Sequence, residues 1–261
     1  MTETGTPYRR RPLTALALGA TLGATLVVSS ACNLDVQSSR PASANGAGPA
    51  PVETTPAPPP PPKPLGTSAP VGFNETEFRD DMNTAVNVVD AFWRRHWTKL
   101  FTGSYTSPHV LGLYNGRNPA TAPKCAGKPL SRDNAEYCPA GDFVAWDSHL
   151  MRTGYAHGDA WVYMVIAHEW GHAIQNRLTR ELVSPAAELQ ADCLAGAALY
   201  GAAADGDLRF EAGDRQEIVT GFRVIGDSSP WTKPGDHGSA AQRLGSFGQG
   251  RDGGARACFR R

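Results

Sequence analysis

Ala167-His168-Glu169-Trp170-Gly171-His172 is the stretch on which the architecture turns, because it sets His-Glu-x-x-His inside a run of helix-forming residues. Positions four apart lie one above the other on an α-helix, so His168 and His172 project from one face and can share one Zn²⁺. Glu169 is aimed from the adjacent turn, where it can act as general base on a water held by that ion. The flanks extend the helix over residues 159–178: Trp161, Val162, Val165, Ile166 and Ile174 are its apolar positions, and no proline interrupts it. A run such as Trp161 to Ala167 predicts a buried helix, and buried histidines and carboxylates need partners. A core helix with two hydrogen-bonded histidines would also meet that need, so the rest of the chain must decide.

A catalytic zinc site takes three protein ligands and keeps a fourth position open. Sixteen residues after His172 comes Glu188-Leu189-Gln190-Ala191-Asp192. Ser184-Pro185 reads as a helix start, with serine as N-cap and proline in the first turn, and residues 186–200 have the alanine and leucine content of a helix. Glu188 then sits early on a second helix, one turn from Asp192 on the same face. Its carboxylate can complete a His₂Glu set, and Asp192 can accept the free ring N–H of a ligating histidine. Taken alone, Glu188 would be an acid complementing the positive helix end and Asp192 a solvated surface acid.

Residues 165–175 and 188–196, then Ile225-Gly226-Asp227 and His237-Gly238-Ser239-Ala240-Ala241-Gln242-Arg243, resemble in order and spacing the successive signatures of the neutral zinc metallopeptidases of bacteria. Upstream, Tyr137-Cys138-Pro139 and residues 142–147 resemble the Tyr-Cys-Pro segment of that family and the strand after it. The resemblance covers roughly residues 105–260. It implies a gluzincin-like zincin fold, zinc ligands His168, His172 and Glu188, and Glu169 as the base. Trp170, where the family has a smaller residue, and Ala240-Ala241, in place of a more polar pair, depart from the pattern. His237 matches a family histidine and is the candidate donor to a tetrahedral oxyanion. A structural bond from His237 to Gln242 or Arg243 is the competing expectation, and Tyr155 and Tyr163 are alternative donors.

Arg9-Arg10-Arg11 precede an uncharged run from Pro12 to Ala31 that ends in Ser29-Ser30-Ala31-Cys32. This order reads as a secretory signal with cysteine at the first mature position, and it resembles a bacterial lipoprotein signal although Ser29 stands where leucine is usual. An uncleaved N-terminal anchor is the alternative, and either one exports the domain. With Cys32 carrying lipid, Cys125, Cys138, Cys193 and Cys258 remain, an even number in an oxidising compartment that allows three connectivities. Cys125 and Cys138 flank a glycine- and proline-containing loop and form the natural local pair. Cys193 would then tie the second helix to the C-terminal tail through Cys258. Cysteine ligation of zinc is disfavoured, since no Cys-x-x-Cys spacing occurs.

Residues 32–70 hold the lipidated cysteine and a proline- and alanine-rich tether, unbroken proline from Pro58 to Pro62, with almost nothing to bury. Three of the 25 basic and one of the 25 acidic side chains fall in residues 1–31, so the remainder carries no basic footprint for nucleic acid. Residues 71–261 suffice for one domain with its own core. Met82, Val86, Val89, Trp93, Trp97 and Leu100 recur at helical spacing and predict an opening helix over 74–101. Residues 110–114 and 142–146 read as short strands, the latter offering a free edge to an extended peptide. Helix, strands, then metal-bearing helices predict an α+β domain, a small sheet packed beside two metal-bearing helices. The expectation is an exported, membrane-anchored zinc endopeptidase acting on a peptide or protein substrate. A zinc amide hydrolase acting on cell-wall peptides and a non-catalytic zincin-fold binding protein are the alternatives.

Overall fold

Asn74 starts the first helix. Its side chain accepts from the backbone N–H groups of Thr76 (3.0 Å) and Glu77 (3.3 Å), and α1 runs Glu75–Leu100 with acids in its first turn and Lys99 in its last. The expected 74–101 span counts the two caps. Met82, Val89, Trp93 and Trp97 of the predicted stripe are buried, with Val86 and Leu100 packed against the same core. The computed structural model describes residues 73–226 and 237–259. The signal over 1–31, Cys32 and the tether to residue 70 lie outside the described residues, as does most of the loop before His237.

The first strand is β1 (His109–Tyr114). A short antiparallel pair follows, β2 (Lys124–Cys125) and β3 (Lys128–Pro129), then β4 (Ala135–Cys138) and β5 (Phe143–Asp147). The main sheet has the order β1-β5-β4, with β1 parallel and β4 antiparallel to β5. The free edge expected on residues 142–146 is therefore corrected: β5 is paired on both sides and all five of its residues are buried, as befits a central strand. The open edge on the cleft side belongs to β4.

Asp147 ends β5 and caps the next helix. Its Oδ1 accepts from His149 (2.8 Å) and Leu150 (3.1 Å), its Oδ2 from Gly116 (2.7 Å), and α2 covers Ser148–Tyr155. The predicted metal-bearing helix is α3, Ala160–Gln175, shorter than expected at both ends and buried along nearly its whole length. The second, α4, spans Ala187–Asp205 and closes on Gly206 at φ 84°. Ser184 does not cap it: its Oγ accepts from Ala186 (3.1 Å), one residue ahead of the helix. Gln190 ties that entry instead, accepting from Ser184 N–H (2.9 Å) and donating to the Leu182 carbonyl (2.7 Å). α5 (Asp214–Ile225) and α6 (Ala240–Gly253) follow, unanticipated like α2, and a 3-10 turn over Ala255–Phe259 ends the described residues. Ser239 and Gln242 form a capping box at the start of α6.

The result is a mixed α+β fold with α3 at its centre, flanked by α1, α4 and the sheet. Disulfides join Cys125 to Cys138 and Cys193 to Cys258, the expected pairing. The first staples the hairpin to β4, and the second ties α4 to the C-terminal turn. Trp170 points into the core, 1% exposed, and its indole N–H donates to the Tyr105 hydroxyl at 2.8 Å.

Candidate metal centre

The centre forms where α3 and α4 approach most closely. A Cβ on Gly171 would lie 2.7 Å from the Ala191 carbonyl oxygen and 2.9 Å from its Cα, so only glycine allows this backbone contact. The glycine inside the His-Glu-x-x-His segment thus lets the second helix come near enough to present Glu188 and Asp192 to the two histidines. On the far side of α4, Gly196 and Gly250 meet backbone in the same way, which seats α6 and delivers Arg243.

His168, His172 and Glu188 converge, with one ligand atom from each within 4.8 Å of the others. Nε2 of His168 lies 3.2 Å from Nε2 of His172 and 3.3 Å from Oε2 of Glu188, and His172 Nε2 lies 3.4 Å from Oε1 of Glu188. Each ring is oriented from behind. Nδ1 of His168 is 2.7 Å from Oδ1 of Asp192, and Nδ1 of His172 is 2.9 Å from Oε1 of Gln175. An amide oxygen can only accept, so Nδ1 of His172 donates to Gln175, leaving Nε2 as the ring nitrogen that faces His168 and Glu188. Gln175 is itself held by donating to the Ala187 carbonyl at 2.7 Å.

Asp192 is fully buried and Arg243 is 3% exposed. The guanidinium grips both carboxylate oxygens, Nε and Nη2 each at 2.8 Å, and reaches the Ile225 carbonyl at 3.3 Å. Its face lies over the Phe222 ring, 5.4 Å from the centroid. The charges of this group shift its protonation. Burial alone would lower the His168 pKa, but Asp192 and Glu188 outweigh it and raise it to about 10. Burial likewise opposes ionisation of Glu188, yet its bonds to His168, His172 and His237 hold it well below the usual carboxylate range.

Glu169 is 6% exposed and stands beside the donor set without joining it. Its Oε2 accepts from the backbone N–H of Tyr137 at 2.8 Å, so this carboxylate contacts the outer edge of β4. Both face a cleft of about 660 Å³ walled by residues 131–137 on one side and by Glu188, Ile225 and His237 on the other. His237 is placed in this cleft with Nδ1 2.9 Å from Oε2 of Glu188. Its expected structural partners are engaged elsewhere, Gln242 with Ser239 and Arg243 with Asp192. Tyr155 and Tyr163 do not line the cleft, which corrects them as alternative donors. The Tyr155 hydroxyl donates to Asp81 at 2.5 Å, and Tyr163, five residues before His168, lies well around the helix from the ligand face.

Compared with protein-family models, with curated proteins and with solved structures, the chain finds no match. Sequence reasoning placed His168, Glu169, His172, Glu188, Asp192 and His237, which the structure brings into one region, but it gave no role to Gln175 and cast Arg243 only as a partner of His237, not of Asp192. Both stand inside the quoted segments. Gln175 lies three residues after His172 on the same helical face, a spacing that could have identified it. Arg243 could be found only as the missing countercharge for a buried Asp192.

Proposed function

We propose that the chain is an exported zinc-dependent endopeptidase. The observation that carries this proposal is the donor triangle with a separate buried carboxylate beside it. Ligands on a tetrahedral ion with bonds of about 2.0–2.1 Å stand about 3.3–3.4 Å apart, and the three separations here are 3.2, 3.3 and 3.4 Å. Two imidazole nitrogens and one carboxylate are also the donor types of catalytic zinc sites. Held by His168, His172 and Glu188, Zn²⁺ supplies Lewis-acid polarisation of a water and of the scissile carbonyl.

The protein's own residues divide the remaining work. Glu169 accepts a proton from the attacking water and returns it to the leaving amine. Asp192 and Gln175 fix the two imidazoles, and Arg243 holds both oxygens of Asp192 in place. His237 holds Glu188 through Nδ1; when its ring carries both protons, the second N–H is available to a developing oxyanion. The outer edge of β4, where Glu169 holds the Tyr137 N–H and the main chain of Ala135 lies beside it, can pair with an extended peptide main chain. Two disulfides accord with an oxidising compartment, and no helix among the described residues is long and apolar enough to cross a membrane. Export through residues 1–31 and lipid attachment at Cys32 complete the proposal.

The test is metal analysis with a proteome-derived peptide cleavage assay on wild type and Glu169→Gln. Wild type should bind about one zinc per chain and cleave. Glu169→Gln should keep the zinc and lose turnover by about two to four orders of magnitude. Equal cleavage by both proteins would end the proposal, and cleavage confined to cell-wall peptides would move it to the amide-hydrolase alternative.

A further inference from the structure

Glu136 lies at the middle of β4 and lines the cleft, half-buried. Every other acid at this centre is partnered: Glu188 by histidines, Asp192 by Arg243, Glu169 by the Tyr137 N–H. The side chain of Glu136 has no hydrogen bond or ion pair among the described residues. Burial, and then the charge of Glu169, hold its carboxyl above the ordinary range. The nearby rim cation Arg132 is largely exposed and sits 3.9 Å from Asp133. Among the described residues no cation stands against this carboxylate.

The sheet geometry says where such a countercharge would come from. Asp147 N–H donates to the Asn134 carbonyl and Tyr137 N–H points outward to Glu169, so the alternation of an antiparallel ladder pairs Glu136 inward with Ala145. Ala135 and Tyr137 then turn their main-chain groups toward the cleft. A peptide strand bonded to the main chain of Ala135 and the carbonyl of Tyr137, whose N–H is held by Glu169, sets one of its own residues directly opposite Glu136, in a non-hydrogen-bonded pair. In such pairs the side chains share a face of the sheet at about 4.5–5.5 Å between Cβ atoms.

We propose that Glu136 determines specificity by receiving the cationic side chain of a lysine or arginine in an extended substrate paired with the edge of β4. The inference rests on the peptidase proposal for the catalytic step but has a binding test of its own. Peptides blocked at both ends carry arginine, or its neutral isostere citrulline, at successive positions. Wild type should prefer arginine at one position by about ten- to a hundred-fold in kcat/KM. Glu136→Gln should bring that ratio close to one, and Glu136→Lys should reverse it in favour of glutamate, with zinc content and Tm matching wild type in both. The same peptides, fluorescently labelled, are titrated against zinc-loaded Glu169→Gln protein with and without Glu136→Gln. A preference for arginine in binding that depends on Glu136, without cleavage by wild type, would keep the inference and reject the peptidase proposal. Equal binding of arginine and citrulline peptides, or a preference that survives Glu136→Gln, would overturn the inference whatever the cleavage result.

Discussion

Replacing Arg243 by methionine probes the least exposed part of the centre. Arg243 is 3% and Asp192 0% exposed, and the substitution removes both 2.8 Å bonds to the carboxylate while roughly preserving volume. Breaking a buried ion pair from one side costs about 3–5 kcal/mol, because a charge is left without its partner. His168 moderates the loss. Its ring stays 2.7 Å from Asp192, and with a pKa raised to about 10 it is protonated at pH 7 in the metal-free chain. The expected cost is therefore at the low end, about 3 kcal/mol, or a fall in Tm of about 6–12 °C for a domain of this size. Thermal and urea unfolding in chelator, with disulfides intact, measure it. Adding Asp192→Asn removes the stranded charge, so the double variant should recover about half of the loss. The sign with pH follows from His168: a raised pKa contributes stability in full below its unfolded value of 6.5, and that contribution is lost as pH rises towards 10. A cost below about 1 kcal/mol for Arg243→Met would refute the assignment of the Arg243–Asp192 contact as a buried pair on which the fold depends.

Three further outcomes are expected. Asp192→Asn should weaken zinc binding about ten- to a hundred-fold through the orientation of His168, whereas Glu188→Gln, which removes a ligand charge, should weaken it more; chelator competition gives the order, and the reverse order would exchange their roles. His237→Ala should reduce zinc affinity by about ten-fold through the loss of its bond to Glu188. A variant with unaltered zinc affinity but kcat and kcat/KM both down about a hundred-fold would instead make His237 an oxyanion donor. Burial, then Asp214 and Asp81, raise the Asp159 pKa, so its ionisation is penalised in the fold and the cost appears as pH rises through its unfolded value of 3.8. Asp159→Asn should raise Tm by about 1–2 °C at pH 7 in chelator, with no gain below pH 4, and a fall in Tm at pH 7 would contradict this.

How much of this was legible depended on how far apart the interacting residues lie in the chain. α1 and α3 are written in periodic apolar residues, and the donor pair of α3 in a spacing of four, all local signals. The cysteine pairing followed from parity and from the short loop between Cys125 and Cys138. By contrast, which strand is central depends on pairings with residues far away, and a five-residue run can be an edge or a centre until its neighbours are known. α6 was hidden by composition: Gly245, Gly248, Gly250 and Gly253 lower its helix propensity, although the Ser239 and Gln242 cap was present to be read. The same residues explain the helix once formed, since Gly250 gives α4 the backbone contact that carries Arg243 inward.

The arrangement of His168, His172 and Glu188 has specific sources. Gly171 fixes the distance between α3 and α4, the Cys193–Cys258 bond fixes the end of the chain against α4, and Gln190 bonds both the Leu182 and Cys258 carbonyls. Each donor is then locked by one partner: His168 by Asp192, His172 by Gln175, Glu188 by His237. Two imidazoles and a carboxylate held at 3.2–3.4 Å do not owe that arrangement to hydrophobic packing, which gains nothing from crowding polar atoms. In the metal-free chain the cost is relieved by the proton on His168. When a cation takes that proton's place, the surrounding partners need not move. That is why substitutions behind the ligands should change metal affinity and pH dependence before they change the fold, with the buried Arg243–Asp192 pair as the exception.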